Sequence, residues 1–167
     1  MTRRVFLGLG SNLGAREEFL NGAAAGIARI PETKLIWCSS VYESDPYGNT
    51  AQGKFLNAAA EIETSLAPPD LLGEIKRIER ALGRTPAERW GPREIDIDIL
   101  IYEGLVHSAD GLEVPHPGIA QRRFVLVPLR EIAPDLVHPV NGMTVTEMAD
   151  ACRDGSRVVM TPYHIQG

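Results

Sequence analysis

From position 95 to 102 the chain reads Ile-Asp-Ile-Asp-Ile-Leu-Ile-Tyr, and no other stretch restricts the fold as much. Successive side chains of a β-strand point to opposite faces. Ile95, Ile97 and Ile99 therefore require one dry face, while Asp96 and Asp98 require the other to be wet or charge-compensated. Such a strand belongs in a sheet that helices cover on one side.

The rest of the sequence supplies matching parts. Val5 to Gly10 has the composition of a buried first strand, and Gly10-Ser11-Asn12-Leu13-Gly14 is a turn cluster. A helix follows, with Glu17 and Glu18 in its first turn and Phe19, Ala23, Ile27 and Ile30 on one face; Pro31 closes it. Lys34 to Tyr42 is β-rich, and a polar loop runs to Lys54. Phe55 to Thr64 alternates: Leu56, Ala58, Ala60 and Ile62 share one face, and Phe55, Asn57, Ala59 and Glu61 share the other. Pro68-Pro69-Asp70 opens a second helix carrying Leu71, Ile75, Ile78 and Leu82 at helical spacing, with Gly83 ending it. The order β-α-β-β-α-β predicts an α+β, ferredoxin-like core. Its antiparallel sheet has both helices on one face and the active site on the open face. The proline-containing final third is expected to hold a hairpin, loops and a short helix around Thr144 to Cys152.

Composition narrows the class. The chain has 167 residues without repeat or linker-like tract, so one domain is expected over residues 1–167. Seventeen Lys and Arg against 22 Asp and Glu give a net charge of −5, which argues against a nucleic-acid partner. Two cysteines, Cys38 and Cys152, lack metal-type spacing and fit a reducing compartment. No segment approaches the roughly 20 apolar residues of a membrane helix, and Val5 to Gly10 is too short for a signal-peptide core. The expectation is a cytoplasmic monomer that acts on small molecules, with no membrane partner.

Asp96 and Asp98 lie two apart on one strand, so their Cβ atoms are about 6 to 7 Å from each other. Carboxylates this close resist joint ionisation unless a cation intervenes, and hard oxygen ligands suit Mg²⁺ that shares its shell with phosphates. A solvated strand edge with alternating acids remains the alternative for these two residues alone. Between Lys76 and Arg93, however, six cations (Lys76, Arg77, Arg80, Arg84, Arg89 and Arg93) face only two acids, Glu79 and Glu88. Arginine forks match phosphate oxygens, and loop arginines beside paired acids are equipment for phosphoryl transfer. Arg77 and Arg80 are read as ordinary solvated helix positions. Trp90 is either a core plug or a lid over a flat ligand. Phe55 and Asn57 offer a stacking surface beside an amide, although Asn57 fits a structural role equally well. His116, between Pro115 and Pro117, is either a phosphate donor or a plain turn histidine. Gly8-Leu9-Gly10-Ser11-Asn12-Leu13-Gly14 fails as a dinucleotide loop because its third glycine is one position late.

Taken together, Leu9 to Gly14, Phe55-Leu56-Asn57-Ala58-Ala59, Arg89-Trp90-Gly91-Pro92-Arg93 with Ile95 to Leu100, and Val114-Pro115-His116 resemble the 6-hydroxymethyl-7,8-dihydropterin pyrophosphokinase family. The likeness runs from Val5 to about Pro134. It implies a folate-pathway enzyme that moves the β,γ-diphosphate of ATP to the pterin hydroxymethyl group and releases AMP. It implies catalytic Arg84, Arg93, Asp96 and Asp98, with Asp96 and Asp98 holding two Mg²⁺ ions. Glu79, Arg84, Arg93, His116 and Arg122 would contact ATP. Asn57 would read the pterin edge, Phe55 and Phe124 would stack on the ring, Ser44, Asp45 and Tyr47 would line its pocket, and Trp90 and Asp96 would complete the pterin site. The chain departs from the family pattern at Pro86, where a second loop arginine is usual, at Asp45 and Tyr47, and at Pro117. The competing readings are another Mg²⁺-dependent phosphoryl or nucleotidyl transferase, and a ferredoxin-like binding module presenting its sheet to RNA or amino acids.

Overall fold

The computed structural model describes residues 1–47, 51–86 and 91–166. Its elements are β1 (Arg3–Ser11), α1 (Arg16–Ala28), β2 (Thr33–Cys38), β3 (Ser40–Ser44), β4 (Phe55–Thr64), α2 (Pro68–Ala81) and β5 (Asp96–Tyr102). These are followed by β6 (His107–Ala109), β7 (Leu112–Val114), a 3₁₀ turn (Ile119–Gln121), α3 (Arg123–Ile132), α4 (Val145–Ala151) and β8 (Val158–His164). The main sheet runs β5-β1-β4-β3-β8, with β2 also on β4, and every pairing is antiparallel. With β2 and β3 taken as one interrupted strand, this is the expected β-α-β-β-α-β core.

The interruption has a local cause. The Ser39 N–H donates to the Ala59 carbonyl at 2.8 Å, and its Oγ accepts from the Ala59 N–H at 2.8 Å. A side chain thus takes one place in the ladder, and the run Lys34 to Tyr42 forms two strands instead of one.

The dry face of the sheet meets the two helices. Val5, Leu7 and Leu9 of β1, Leu56, Ala58, Ala60 and Ile62 of β4, and Ile97 and Ile99 of β5 form one cluster with Leu20, Ala23 and Ile27 of α1 and Leu71 and Ile75 of α2. Ile30 joins this core from beyond the end of α1, and Phe19 only partly. The helices approach closely because α1 presents glycines. A Cβ on Gly22 would sit 2.7 Å from Leu82 Cδ2, and one on Gly26 would sit 3.0 Å from Ile78 Cγ2.

The second face is divided rather than bare. Between Phe6 and Leu7 the β1–β5 register shifts, so Leu7 pairs with Ile99 and Phe6 with Ile101. Such a bulge inverts the alternation. Leu100 follows Asp96 and Asp98 onto this face by alternation and the shift adds Ile101, so both join Phe6 and Ala59 beneath Leu126, Leu129 and Ile132 of α3 and Val145 and Met148 of α4. Glu131 of α3 accepts hydrogen bonds from the Ser40 N–H, the Ser40 hydroxyl and the Tyr42 hydroxyl, which fixes this helix to β3. Where the sequence suggested loops, α3 forms with Pro128 at its sixth residue. The short helix at Thr144 is as expected: its hydroxyl accepts from the Glu147 N–H, and the Glu147 carboxylate accepts from the Thr144 N–H. β8, also unforeseen, lies along β3. Among the described residues no helix is long and apolar enough to cross a membrane.

The close helix contact gives a paired stability prediction. Gly26→Val should destabilise by about 1 to 3 kcal/mol through overpacking against Ile78. Gly73→Ala, where a Cβ meets nothing within 4 Å, should stabilise by about 0.5 to 1 kcal/mol. Urea unfolding of both variants checks the two signs.

Candidate active site

The uncovered half of the second face floors a cavity of about 380 Å³. Its geometry follows from register. On one side β1 pairs Gly8 with Asp98 and Gly10 with Asp96, and on the other it pairs Gly10 with Asn57. The floor is therefore bare backbone, flanked by two carboxylates on one side and an amide and an aromatic ring on the other. A Cβ at Gly10 would stand 3.3 Å from Asn57 Oδ1 and 3.5 Å from Phe55 Cδ1. Only glycine leaves this surface flat, so the Gly8 to Gly14 run that failed as a phosphate loop supplies a floor instead.

Asp96 and Asp98 both line the cavity, opposite the isoleucines buried against the helices. Burial, then the neighbouring Asp96 and Glu79 charges, push the Asp98 carboxyl up to about 7, with Arg122 and Lys76 opposing. Unrelieved repulsion of this kind favours a cation between hard oxygen donors. Among the described residues no group of three or more His, Cys, Asp or Glu side chains could cage a metal. Two carboxylates with an open side instead fit Mg²⁺, which completes its shell from water and phosphate.

Cations crowd the same end. Arg84 and Arg93 line the cavity, and an Arg84 nitrogen lies 3.5 Å from Asp96 Oδ1. Lys76 lines it too, a position to which the sequence gave no role although it stood in the cationic run. Glu79 does not line it. It is 2 % exposed beneath the floor, accepts a 2.9 Å hydrogen bond from the Ile97 N–H, and lies 3.5 Å from Lys76 and 3.7 Å from Arg84. It thus fixes the strand between the two aspartates and holds two cations without facing a ligand.

His116 and Arg122 form the adjoining wall. His116 Nδ1 accepts from the Gly118 N–H at 3.1 Å, which puts the proton of the neutral ring on Nε2. Burial and the Arg122 charge lower its pKa, so the ring is neutral near pH 7. The Arg122 guanidinium stacks 5.4 Å from the Tyr47 ring centroid, and Tyr47 meets Phe124 edge-on at 5.8 Å. At the far end Asn57, 4 % exposed, donates through Nδ2 to Ser44 Oγ at 2.6 Å, which leaves Oδ1 over Gly10. Ser44, Asp45, Tyr47, Phe55 and Phe124 all line the cavity. Trp90, like Arg89, lies outside the described residues. A second cavity of about 570 Å³ adjoins the first, sharing Lys76, Asp98 and His116 with it.

A slot with a flat floor, an amide at one end and paired acids among cations at the other can hold a planar heterocycle against a polyphosphate. Comparison with known proteins agrees. Residues 6–134 match the family model for 7,8-dihydro-6-hydroxymethylpterin-pyrophosphokinase. The 2-amino-4-hydroxy-6-hydroxymethyldihydropteridine pyrophosphokinase of Methylorubrum extorquens is 49% identical over 144 residues, 86% of this chain and 90% of that protein. The protein of the same name from Haemophilus influenzae is 41% identical over 157 residues, 94% of this chain and 98% of its own length. Among solved structures, wild-type Plasmodium falciparum HPPK-DHPS with pteroate superposes with a TM-score of 0.72 at 16% identity. That match covers 90% of this chain but only 42% of the longer one, and at this identity it speaks for the fold alone.

The raised Asp98 carboxyl sets a pH dependence. A carboxyl whose pKa rises on folding contributes stability at acid pH that is lost as pH climbs from 3.8 to about 7. In chelator, the stability of the wild type relative to Asp98→Asn, which cannot ionise, should therefore fall across that window. Denaturant titrations at several pH values check it.

Proposed function

This chain belongs to the 7,8-dihydro-6-hydroxymethylpterin-pyrophosphokinase family, and from that premise we propose how its residues divide the reaction. It is a pyrophosphokinase of folate biosynthesis. In our reading it takes ATP and 6-hydroxymethyl-7,8-dihydropterin, acting as a cytoplasmic monomer with one domain over residues 1–167. The observation that carries this reading is the single cavity in which Asp96 and Asp98 face a glycine floor with Asn57 across it.

The pterin lies between Phe55 and Phe124, which cover its faces, with its rim above Gly8 and Gly10 and the Asn57–Ser44 pair toward its donor and acceptor edge. Asn57 is prepared for this because its Nδ2 already donates to Ser44, so its orientation needs no adjustment when the ring arrives. Asp45 and Tyr47 line the same end, and Trp90 completes the pterin site. The hydroxymethyl group then points to the acidic end. Nucleoside binding falls to the second cavity, with the triphosphate crossing at Lys76, Asp98 and His116.

Asp96 and Asp98 would hold two Mg²⁺ ions, which supply neutralisation of the triphosphate and fix it against the acceptor. The pterin hydroxyl oxygen attacks the β-phosphorus, and the bond from that phosphorus to the α–β bridging oxygen breaks. AMP leaves with that oxygen, and the hydroxyl proton passes to solvent. Such a transfer depends mainly on alignment and on cations facing the charge that moves to the leaving oxygen. Arg84 and Arg93 fill that role from the loop. His116 donates from Nε2 as a neutral ring, and Arg122, braced on Tyr47, adds a fixed charge. Glu79 acts at one remove, by keeping Arg84, Lys76 and the β5 backbone in place.

Product analysis tests the reading. With both substrates and Mg²⁺ the chain should release AMP; ADP or inorganic pyrophosphate as the nucleotide-derived product would refute it. Asp98→Asn should lower turnover by about 10³-fold or more while leaving the circular dichroism spectrum unchanged, as expected for loss of a carboxylate that would hold the Mg²⁺ countering the developing charge.

Arg93→Ala should reduce kcat by at least about tenfold more than it weakens ATP binding, the pattern of a transition-state contact. Steady-state kinetics set beside calorimetric titration of a non-hydrolysable ATP analogue separate the two effects.

A further inference from the structure

Between α4 and β8 the chain runs along the outside of the ring end of the cavity and is bonded to both of its walls. Asp154 accepts hydrogen bonds from the Arg123 N–H at 3.0 Å through Oδ2, and from the Ser156 N–H at 2.9 Å and the Ser156 hydroxyl through Oδ1. Arg123 is the first residue of α3, so its N–H has no acceptor within the helix. Arg122 at the N-cap cannot supply one, because a guanidinium only donates. A carboxylate 31 residues further along the chain fills that place. Partial burial would raise its pKa, but the hydrogen bonds from Ser156 and Arg123 prevail and hold the carboxyl below its ordinary value. The clamp is therefore charged near neutrality, and a negative group suits the positive end of a helix. Three residues on, the same segment meets the other wall. The Arg157 N–H donates to Asp45 Oδ2 and the Asp45 N–H donates to the Arg157 carbonyl, each at 3.4 Å. Val158 then begins β8 opposite Ser44, which itself stands opposite Phe55. Phe55, Ser44 and Val158 thus form one cross-strand row, and residues 154–157 tie that row to the helix that carries Phe124. Open space lies behind this wall: Tyr47, which meets Phe124 edge-on, also lines an outer cavity of about 390 Å³ together with Gln121 and Asp154. The strap supplies here support that packing does not.

We propose that Asp154 is a positioning residue for the pterin, setting the separation of Phe124 from Phe55 by holding the first turn of α3 to the row that carries Phe55. This rests on the reading that the two rings cover the faces of the pterin. Without the carboxylate the Arg123 N–H loses its acceptor, and the first turn frays in the empty protein. Ring binding must then re-form the turn, and the lost cap appears as weaker pterin affinity. The nucleotide is spared, since Lys76 comes from α2 and Arg84 and Arg93 from the segment between α2 and β5.

The test is calorimetric titration of 6-hydroxymethyl-7,8-dihydropterin into the full chain saturated with Mg²⁺ and a non-hydrolysable ATP analogue, set beside titration of the analogue alone. Asp154→Ala should weaken pterin binding by about five- to tenfold, the usual strength of a helix cap, and leave analogue affinity within about twofold of wild type. Asp154→Asn keeps an acceptor for the Arg123 N–H and should stay within about twofold of wild type for both ligands. Thr144→Ala breaks the capping box of α4 instead, and should lower the melting temperature while leaving pterin affinity unchanged. Unchanged pterin affinity in Asp154→Ala overturns the proposal. So does an equal loss for pterin and analogue, or for Asp154→Ala and Thr144→Ala, which marks a general loosening of the fold. Asp154→Asn as weak as Asp154→Ala also overturns it. If Asp154→Ala does not fold, Ser156→Ala, which removes one bond that orients the carboxylate, takes its place. It should weaken pterin binding by about threefold with the analogue spared, and an unchanged value then overturns the proposal. A wild-type chain that binds the analogue but not the pterin refutes the reading of the cavity and this proposal with it; the failures above leave that reading standing.

Discussion

Two carboxylates side by side on a strand are an unfavourable arrangement, and the structure is organised around keeping it. Strand periodicity puts Asp96 and Asp98 on one face because Ile95, Ile97 and Ile99 are needed on the other, under α1 and α2. On the cavity side, desolvation and the neighbouring Asp96 charge make Asp98 hard to ionise. Cations stand close to these acids: Arg84 against Asp96, and Lys76 and Arg84 against the buried Glu79. The fold holds a site in a charge state that a bound cation and an anionic substrate would relieve. This is stability given up locally for function, supported by a core elsewhere that has no such conflict.

The partition of the second sheet face matters as much. Alternation puts Asp96, Asp98 and Leu100 on one face, so the polar stretch ends at Leu100, which lines the cavity and also joins the second core. The register shift between Phe6 and Leu7 adds Ile101 to that face beneath α3. Leu100 and this bulge together mark where the cavity gives way to the second hydrophobic layer. The same helix supplies Phe124 and Val125 to the cavity wall, and its Glu131 fixes it to β3, the strand that ends in Ser44. Packing and site share these elements, so the wall cannot drift without loosening the core.

Much of this was legible in the sequence, and for definite reasons. Phe55 to Thr64 and Pro68 to Ala81 carry unbroken periods of two and 3.6 bounded by prolines and a glycine, and both elements form where the pattern puts them. The sequence also put Asp96 and Asp98 on the face away from the helices, since strand alternation needs no tertiary information. What escaped depended on tertiary context. The Ser39 break turns on a side chain standing in for backbone. Pro128 suggests a loop, yet the stripe Leu126, Leu129, Ile132 finds a hydrophobic surface that outweighs one lost backbone bond. Lys76 stands in the cationic run without a role of its own, and Glu79 is expected to contact ATP from the family resemblance; the fold puts the first in the cavity lining and the second, buried, outside it. The spacing of Gly8 and Gly10 rejects a dinucleotide loop, but what that spacing serves, clearing one face of the strand, needs the neighbouring strands to be seen.

That cleared strip bears on how the protein could meet an inhibitor. A planar compound held between Phe55 and Phe124 also meets the peptide groups of Gly8 and Gly10, and those contacts substitution alters only by adding bulk. Any residue larger than glycine at position 10 would intrude on Asn57 and Phe55 and so exclude the natural ring together with the drug. Resistance would then have to arise at side chains around the slot, such as Asp45, Tyr47 or Phe124, and a compound confined to the footprint of the substrate makes changes there costly to substrate binding as well.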